Sequence, residues 1–515
     1  MKEKLIKLEP YYFYLFLILN LIPVLSHRFF LTVDGPAHLY NSRIIVELFS
    51  NSNSPIEQFF NFNTQISPNW SGHFILSSFM FFLPAFVAEK IVLIICLIGL
   101  PLSLRYLLKT LNVKSYYFIY MVFPFTYSFL FYYGFYNFNL GIILLLFGIS
   151  FWIKMKDDYT FKKSLKLFII STLICLTHLF IFSIFLLSIF ILNLNSFKLF
   201  FQSDKIVKQK LVKNYFFQLL ILSPAIILFL VFQFNNQSTG TNPTYLIFQD
   251  ILSSLKYIMP AKGINYEGYS IFNKVILYIF LLLYIYLFWK KFLTKKTDKV
   301  KIFKHPELLI LSFILLLFSF FLPDSSGSFS FITSRFLLLF FLFLLIWTAI
   351  QDVPNAFKIL IFTLLNIVNT LIISHNYHSI KKGCELAEET NKISELIKPY
   401  SVVLPINLNN SKIYDHISNY LGVDKPMVII ENYEALLNYF PLKWNPNKQN
   451  ISSALQFNSD SDFSYIASTK DSIDYIFQIA DPENFKLLDL DSVIEKKYTL
   501  IYTGKNKELK LFKLK

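Results

Sequence analysis

The chain has 515 residues, 55% of them hydrophobic and only 16% charged, with 60 phenylalanines. Soluble globular chains carry about a quarter charged residues, so this composition excludes an ordinary soluble domain and points to the bilayer. The formal charge of +15 does not imply a nucleic-acid partner. The basic residues fall in blocks between apolar runs, the pattern of cytoplasmic loops in membrane proteins.

Lys2, Lys4 and Lys7 precede a first apolar run at 11–26. No small-x-small cleavage site follows Leu25, so the run reads as a retained span with the N-terminus in the cytoplasm. It delivers "FLTVDGPAHLYNSRII" (30–45) to the outer face. Pro36, with its fixed φ and missing donor, suits a first helical turn. Asp34, just ahead of it, sits at the positive end of that helix. His38 lies four residues on, on the same face. The plain alternative makes Asp34 a cap and His38 an interfacial polar residue. Placement at the outer surface favours a general base acting on a polar acceptor.

"SPNWSGHFIL" (67–76) puts Trp70 and His73 at the same interface, either as an aromatic-belt anchor or as lining of the same cleft. The stretch 73–88 reads as an in-plane helix, because a full crossing would put the basic block at 105–114 outside. Spans follow at 91–108, 116–133 and 138–153. The run 164–195 reads as a short helical hairpin with its tip near Thr177 and His178, tolerable only if packed in protein or facing water. His178 is either a neutral ring bonded to a backbone carbonyl or an intramembrane group with a purpose.

A span at 215–233 leads to an outer loop, 234–270. Lys262, Tyr266 and Glu267 there supply a charged group and a second candidate acid, unless the loop is merely solvated. Spans at 271–289 and 307–323 precede the outer loop "DSSGSFSFITSR". Arg335 enters the next span, 333–350, from the outer side. It either snorkels to head groups or pairs with a lipid phosphate, which its planar donors suit. A last span at 357–374 brings the total to about eleven crossings.

From 376 the composition turns soluble. Residues 378–397 have helical spacing, while "SVVLP", "MVIIEN", "YIFQIA" and "YTLIYTGKNKELKLFKL" read as strands, the last a hairpin turning near Gly504. The expected organisation is a polytopic α-helical membrane domain, 1–375, with outer juxtamembrane helices in 27–90. A soluble α/β or α+β extracytoplasmic domain, 376–515, follows. Cys96, Cys175 and Cys384 make neither a disulfide framework nor a cysteine metal site. No phosphate-binding loop, GxGxxG, HExxH or GxSxG occurs, so nucleotide chemistry is not indicated and an activated sugar would arrive on a lipid carrier.

An outer first loop with an acid, in-plane helices, many spans and an outward C-terminal domain resemble the GT-C class of integral-membrane glycosyltransferases. That class includes protein O-mannosyltransferases, the lipid A aminoarabinose transferases and oligosaccharyltransferases. "DGPAHLYN", "PNWSGH", "YGFYNFNLG", "THLF", the "SR" before a span and "NYEALLNYFPLKWN" (432–445) look like an uncharacterised bacterial branch of it. The resemblance implies inverting transfer of a sugar from a polyprenyl-phosphate-linked donor to an envelope glycan, lipid or protein acceptor. Asp34 would be the catalytic acid of the first loop, His38 a neighbouring acceptor or phosphate contact, and Arg335 a donor-phosphate contact. His73, His178, Glu267 and Lys262 complete the candidate substrate-binding set.

Many members of the class place a second acid in an outer loop. Here Gly35 follows Asp34 and "FYNFN" has no acid, leaving Glu267 or Asp324 as substitutes. No metal ligand is assigned, and a divalent metal stays an open cofactor option. The residue bias suits an AT-rich bacterium and hence the inner membrane. Two rivals stand beside the transferase. One is a transporter or flippase for a lipid-linked saccharide, which the nearly charge-free spans and missing repeat disfavour. The other is a non-catalytic envelope assembly or sensor protein, for which so many spans are excessive.

Overall fold

The computed structural model describes residues 2–65, 67–113, 116–156, 159–235, 242–256, 270–293, 303–327, 329–409, 411–446, 473–481 and 494–515. Among them, eight helices are long and apolar enough to cross a membrane: Leu8–Leu25, Ala85–Thr110, Tyr136–Met155, Leu179–Gln202, Lys205–Phe234, Phe272–Lys290, Ile332–Ile350 and Asn355–Leu396. Two shorter apolar segments, Tyr117–Tyr132 and Pro306–Phe321, accompany them. The protein is a polytopic α-helical membrane protein, and most expected spans lie within these helices.

The departures have local causes. The segment at 116–133 is not one helix but three pieces, Tyr117–Val122, Phe123–Thr126 and Phe129–Tyr132. Side chains replace the missing ladder. Asn369 donates to the Tyr120 carbonyl at 2.9 Å, and Ser128 accepts from the Phe131 N–H at 3.1 Å. Broken backbone at membrane depth survives only when packed in protein in this way. The juxtamembrane helix is shorter than expected, Ser71–Met80, because Pro84 resets the chain and the next helix begins at Ala85. The final span runs on without a glycine or proline stop before 383, so Asn355–Ile393 absorbs the helix expected at 378–397.

Tight packing divides the chain into two units. The first comprises residues 1–23, 94–132 and 137–379. Within it, Glu9 and Arg105 form a two-pronged pair at 2.8 and 2.7 Å, with the guanidinium 4.4 Å from the Phe13 ring centre. An arginine among apolar helices needs such a partner. His178 alone interrupts the run between helices Phe161–Thr177 and Leu179–Leu192, adopting extended backbone (φ −164°, ψ 114°) at the expected hairpin tip.

The second unit comprises residues 24–93, 133–136 and 380–515. Its sheet has the order β3 (Val428–Ile429), β2 (Val402–Leu408), β5 (Tyr475–Ala480), β7 (Leu509–Leu514), β6 (Tyr498–Thr503). β2 runs parallel to β3 and β5, whereas β7 runs antiparallel to β5 and β6. All four expected strand segments are present, and the hairpin turns between Thr503 and Leu509, where Lys507 rather than Gly504 takes the positive φ (58°). Leu404, Ile406, Ile430, Ile473, Ile476, Ile494, Tyr498 and Phe512 form the core on one face.

Two features join residues 24–93 to the C-terminal part of this unit. A short strand, β1 (Phe60–Phe62), pairs antiparallel with β4 (Leu442–Trp444). Tyr40, fully buried on helix Gly35–Ser50, donates its hydroxyl to the Met427 carbonyl at 2.9 Å and accepts from the Ile429 N–H at 3.0 Å. Gly422 leaves room for the Tyr40 ring, since any Cβ there would strike it. Tyr40→Phe strands one buried donor and one buried acceptor. It should destabilise this unit by about 1–3 kcal/mol, read as a lower thermal unfolding midpoint of the detergent-solubilised protein.

Candidate functional site

The start of helix Gly35–Ser50 is built without help from the Asp34 carboxylate. Asp34 occupies the N-cap position, yet its side chain makes no capping hydrogen bond. Thr32 does that work, its hydroxyl accepting the Gly35 N–H at 3.1 Å. The Asp34 N–H donates to the Tyr133 carbonyl at 3.0 Å, and Gly134 (φ +85°) lies against the same backbone. A Cβ at Gly134 would fall 2.8 Å from the Gly35 nitrogen. Close approach explains why glycine stands there.

With capping assigned to Thr32, the Asp34 carboxylate is left to other partners. The nearby Tyr433 hydroxyl favours its charged form. His416 Nε2 lies 3.8 Å from its Oδ1, and His416 Nδ1 lies 3.3 Å from Glu431 Oε1. Asn419 donates to the same Glu431 oxygen at 2.7 Å. The His416 ring stacks on Tyr433 at 4.6 Å between centres, so its plane and both nitrogens are fixed. Burial pushes Asp34 up to about 6, against the pull of His416 and His38. Burial would lower His416, but Glu431 and Asp34 outweigh it and lift the imidazole to about 9.

Beside this group lies a second one. Glu434 has no solvent exposure. His38 Nδ1 faces its Oε1, His73 Nε2 lies 2.8 Å from its Oε2, and Asn41 donates to Oε2 at 2.7 Å. Asn41 and Asn432 also exchange amide hydrogen bonds at 3.1 and 2.7 Å. Burial alone would raise Glu434, but the two imidazoles hold it far below the ordinary carboxylate range. For His38 the Glu434 charge overcomes burial and raises the imidazole, whereas burial keeps His73 lowered. Nitrogen and oxygen atoms of His38, His73 and Glu434 come within 4.8 Å of one another, a spacing a metal ion can bridge.

Of the residues expected from the sequence, Asp34, His38 and His73 fall together in the second unit. His178 and Arg335 meet in the first, with Arg335 Nη1 3.2 Å from His178 Nε2. A guanidinium only donates, so Nε2 is the acceptor and the ring is bonded to a side chain rather than to a carbonyl. Arg335 is 7% exposed and lies 5.4 Å from the Phe138 ring centre. Asp324 caps helix Ile332–Ile350 through the Thr333 N–H at 3.0 Å. Lys262 and Glu267 lie outside the described residues.

Sequence reasoning missed His416, Glu431, Tyr433 and Glu434. The phrase "ENYE" directly after the strand "MVII" was the available signal, two acids and a tyrosine too close-set for a plain turn.

No family model matches the chain, and no curated protein does. Solved structures do, among them two of ArnT. ArnT from Cupriavidus metallidurans in the apo state superposes with a TM-score of 0.53 and 9% identity, covering 98% of each chain. The structure of the same ArnT bound to undecaprenyl phosphate gives 0.51 and 8%, covering 97% of this chain and 96% of that one. The fold is GT-C-like. Identity this low carries the fold alone, since one fold can host unrelated chemistries.

The His416 pairings make a pH-dependent contribution to the GT-C-like fold. Because the imidazole is raised above its usual value, its stabilisation is present below about pH 6.5 and is lost as pH rises through about 9. The wild-type unfolding midpoint should therefore fall between pH 7 and 9.5 more steeply than that of His416→Gln, measured by differential scanning fluorimetry. Parallel curves would refute the pairing.

Proposed function

We propose that the chain is an inverting glycosyltransferase that moves a sugar from a polyprenyl-phosphate carrier to an envelope glycan, lipid or protein acceptor. Asp34 is its general base. The observation that carries this reading is the Asp34 carboxylate. It is released from capping by Thr32 and flanked by Tyr433 and His416, within a GT-C-like fold. The ArnT structure that holds undecaprenyl phosphate supports a polyprenyl-phosphate partner.

The acceptor hydroxyl oxygen attacks the anomeric carbon as its proton passes to Asp34. The bond from that carbon to the phosphate oxygen breaks, and the phosphate leaves with the electron pair on its carrier. Inversion follows from attack opposite the leaving group. A carboxylate near 6 is suited to accept a proton close to neutrality. His416 is a positioning residue, holding the carboxylate through its ion pair while anchored on Glu431. Arg335, 5.4 Å from the Phe138 ring centre and bonded to His178, carries planar donors of the kind that suit a phosphate. The basic blocks support a cytoplasmic N-terminus in a bacterial inner membrane, with the C-terminal region outside.

Asp34→Asn should lower transfer by about 10²–10⁴-fold while binding of undecaprenyl phosphate, followed by thermal shift, stays unchanged. Transfer is read by mass spectrometry of envelope glycolipids and glycoproteins from cells expressing either form. A fully active Asn variant would eliminate the base assignment. Movement of a lipid-linked saccharide across liposomes with no covalent product would favour a flippase instead.

A further inference from the structure

We propose that His38, His73 and Glu434 form a binding site for one divalent transition-metal ion of the zinc type. The site stands apart from the transfer reading and would exist in a protein with no transferase activity.

The three residues come from three separate places: helix Gly35–Ser50, helix Ser71–Met80 and the short turn Glu434–Leu436. Their donor atoms nevertheless converge within 4.8 Å. The tautomer of His38 is set from outside. Its Nε2 lies 3.1 Å from the Gly134 carbonyl, which can only accept, so Nε2 carries the proton. A neutral His38 therefore turns the bare lone pair of Nδ1 toward the Glu434 carboxylate. That lone pair and the carboxylate can share either a proton or a metal ion, and an N–H held by a backbone carbonyl is the usual support of a metal-bound imidazole.

Glu434 is supported in the same way, with Asn41 donating to Oε2 and itself locked by Asn432. His73 Nδ1 has no hydrogen-bond partner among the described residues and His73 is 1% exposed, so the ring is committed to the side that faces Glu434. The Phe440 ring, 6.2 and 5.5 Å from the two imidazole centres, shields the group.

The donor set selects the ion. Two imidazole nitrogens and one carboxylate oxygen suit zinc, which takes four ligands at about 2.0–2.2 Å. Magnesium holds several waters and prefers oxygen, and calcium requires six or more oxygens, so neither fits a buried site with two nitrogens. One carboxylate and two neutral imidazoles would leave a bound zinc site with a single net positive charge.

The test uses the full chain without a polyhistidine tag, purified in detergent. Elemental analysis should find about one zinc per chain. A chelator should remove it and lower the unfolding midpoint, and added zinc should restore both. Glu434→Gln and His73→Ala should weaken zinc binding by about 100-fold or more, while His178→Ala, in the other unit, keeps the metal. Should the ligand variants fail to fold, cobalt(II) added to the chelated wild type decides the matter. Visible absorption bands of a tetrahedral nitrogen and oxygen site support the proposal. Absence of zinc, with no thermal shift on adding zinc or cobalt, overturns it and leaves a protonated histidine–glutamate triad.

Discussion

A carboxylate with no exposure to water is the constraint around which the second unit is arranged. Burying an unmet charge costs several kcal/mol, so Glu434 dictates what must surround it. Two imidazoles and an amide do so, and they arrive from helices Gly35–Ser50 and Ser71–Met80. The unit cannot close its sheet without also seating those helices. Tyr40 and the β1–β4 pair extend the same attachment with ordinary hydrogen bonds. A polar knot of this kind specifies register more sharply than apolar packing does, because a shifted helix would leave charge uncompensated.

Asp34 inherits its placement from that knot. His38 is one helical turn from Asp34, and Tyr433 is the residue before Glu434. Fixing Glu434 against His38 therefore brings the Tyr433 hydroxyl and the stacked His416 to the Asp34 carboxylate. The two groups share a scaffold but differ in character. Glu434 is sealed and strongly acidic, whereas Asp34 is partly open, 15% exposed at its side chain, and raised to about 6. One fold thus holds two carboxylates in opposite protonation regimes, one pulled down by imidazoles and one pushed up by burial.

Much of this was readable from the residues. Long apolar runs gave away the helices because only helices satisfy their own backbone in lipid. Strands such as "YIFQIA" and the C-terminal hairpin followed from alternation. Asp34, His38 and His73 stood out as polar residues where apolar ones were expected. What could not be read was the partnership across some 400 residues. Nothing local in "ENYEALL" says that its second acid is buried against two histidines near the N-terminus. The broken segment at 117–132 escaped for a related reason. Its composition is helical and apolar, and the side chain that bonds its broken backbone, Asn369, is distant in sequence.

Gly134 gives the turn at 133–136 a meaning beyond connection. Its backbone presses on Asp34 and Gly35 so closely that no side chain fits between them. The turn works as a mechanical stop for the helix that carries the acid. Any sequence drift there would be felt as a misaimed carboxylate before it was felt as a loss of folding. Lipid-facing side chains can therefore vary in length, whereas the backbone at Gly134 accepts no side chain without displacing the start of the helix that follows Asp34.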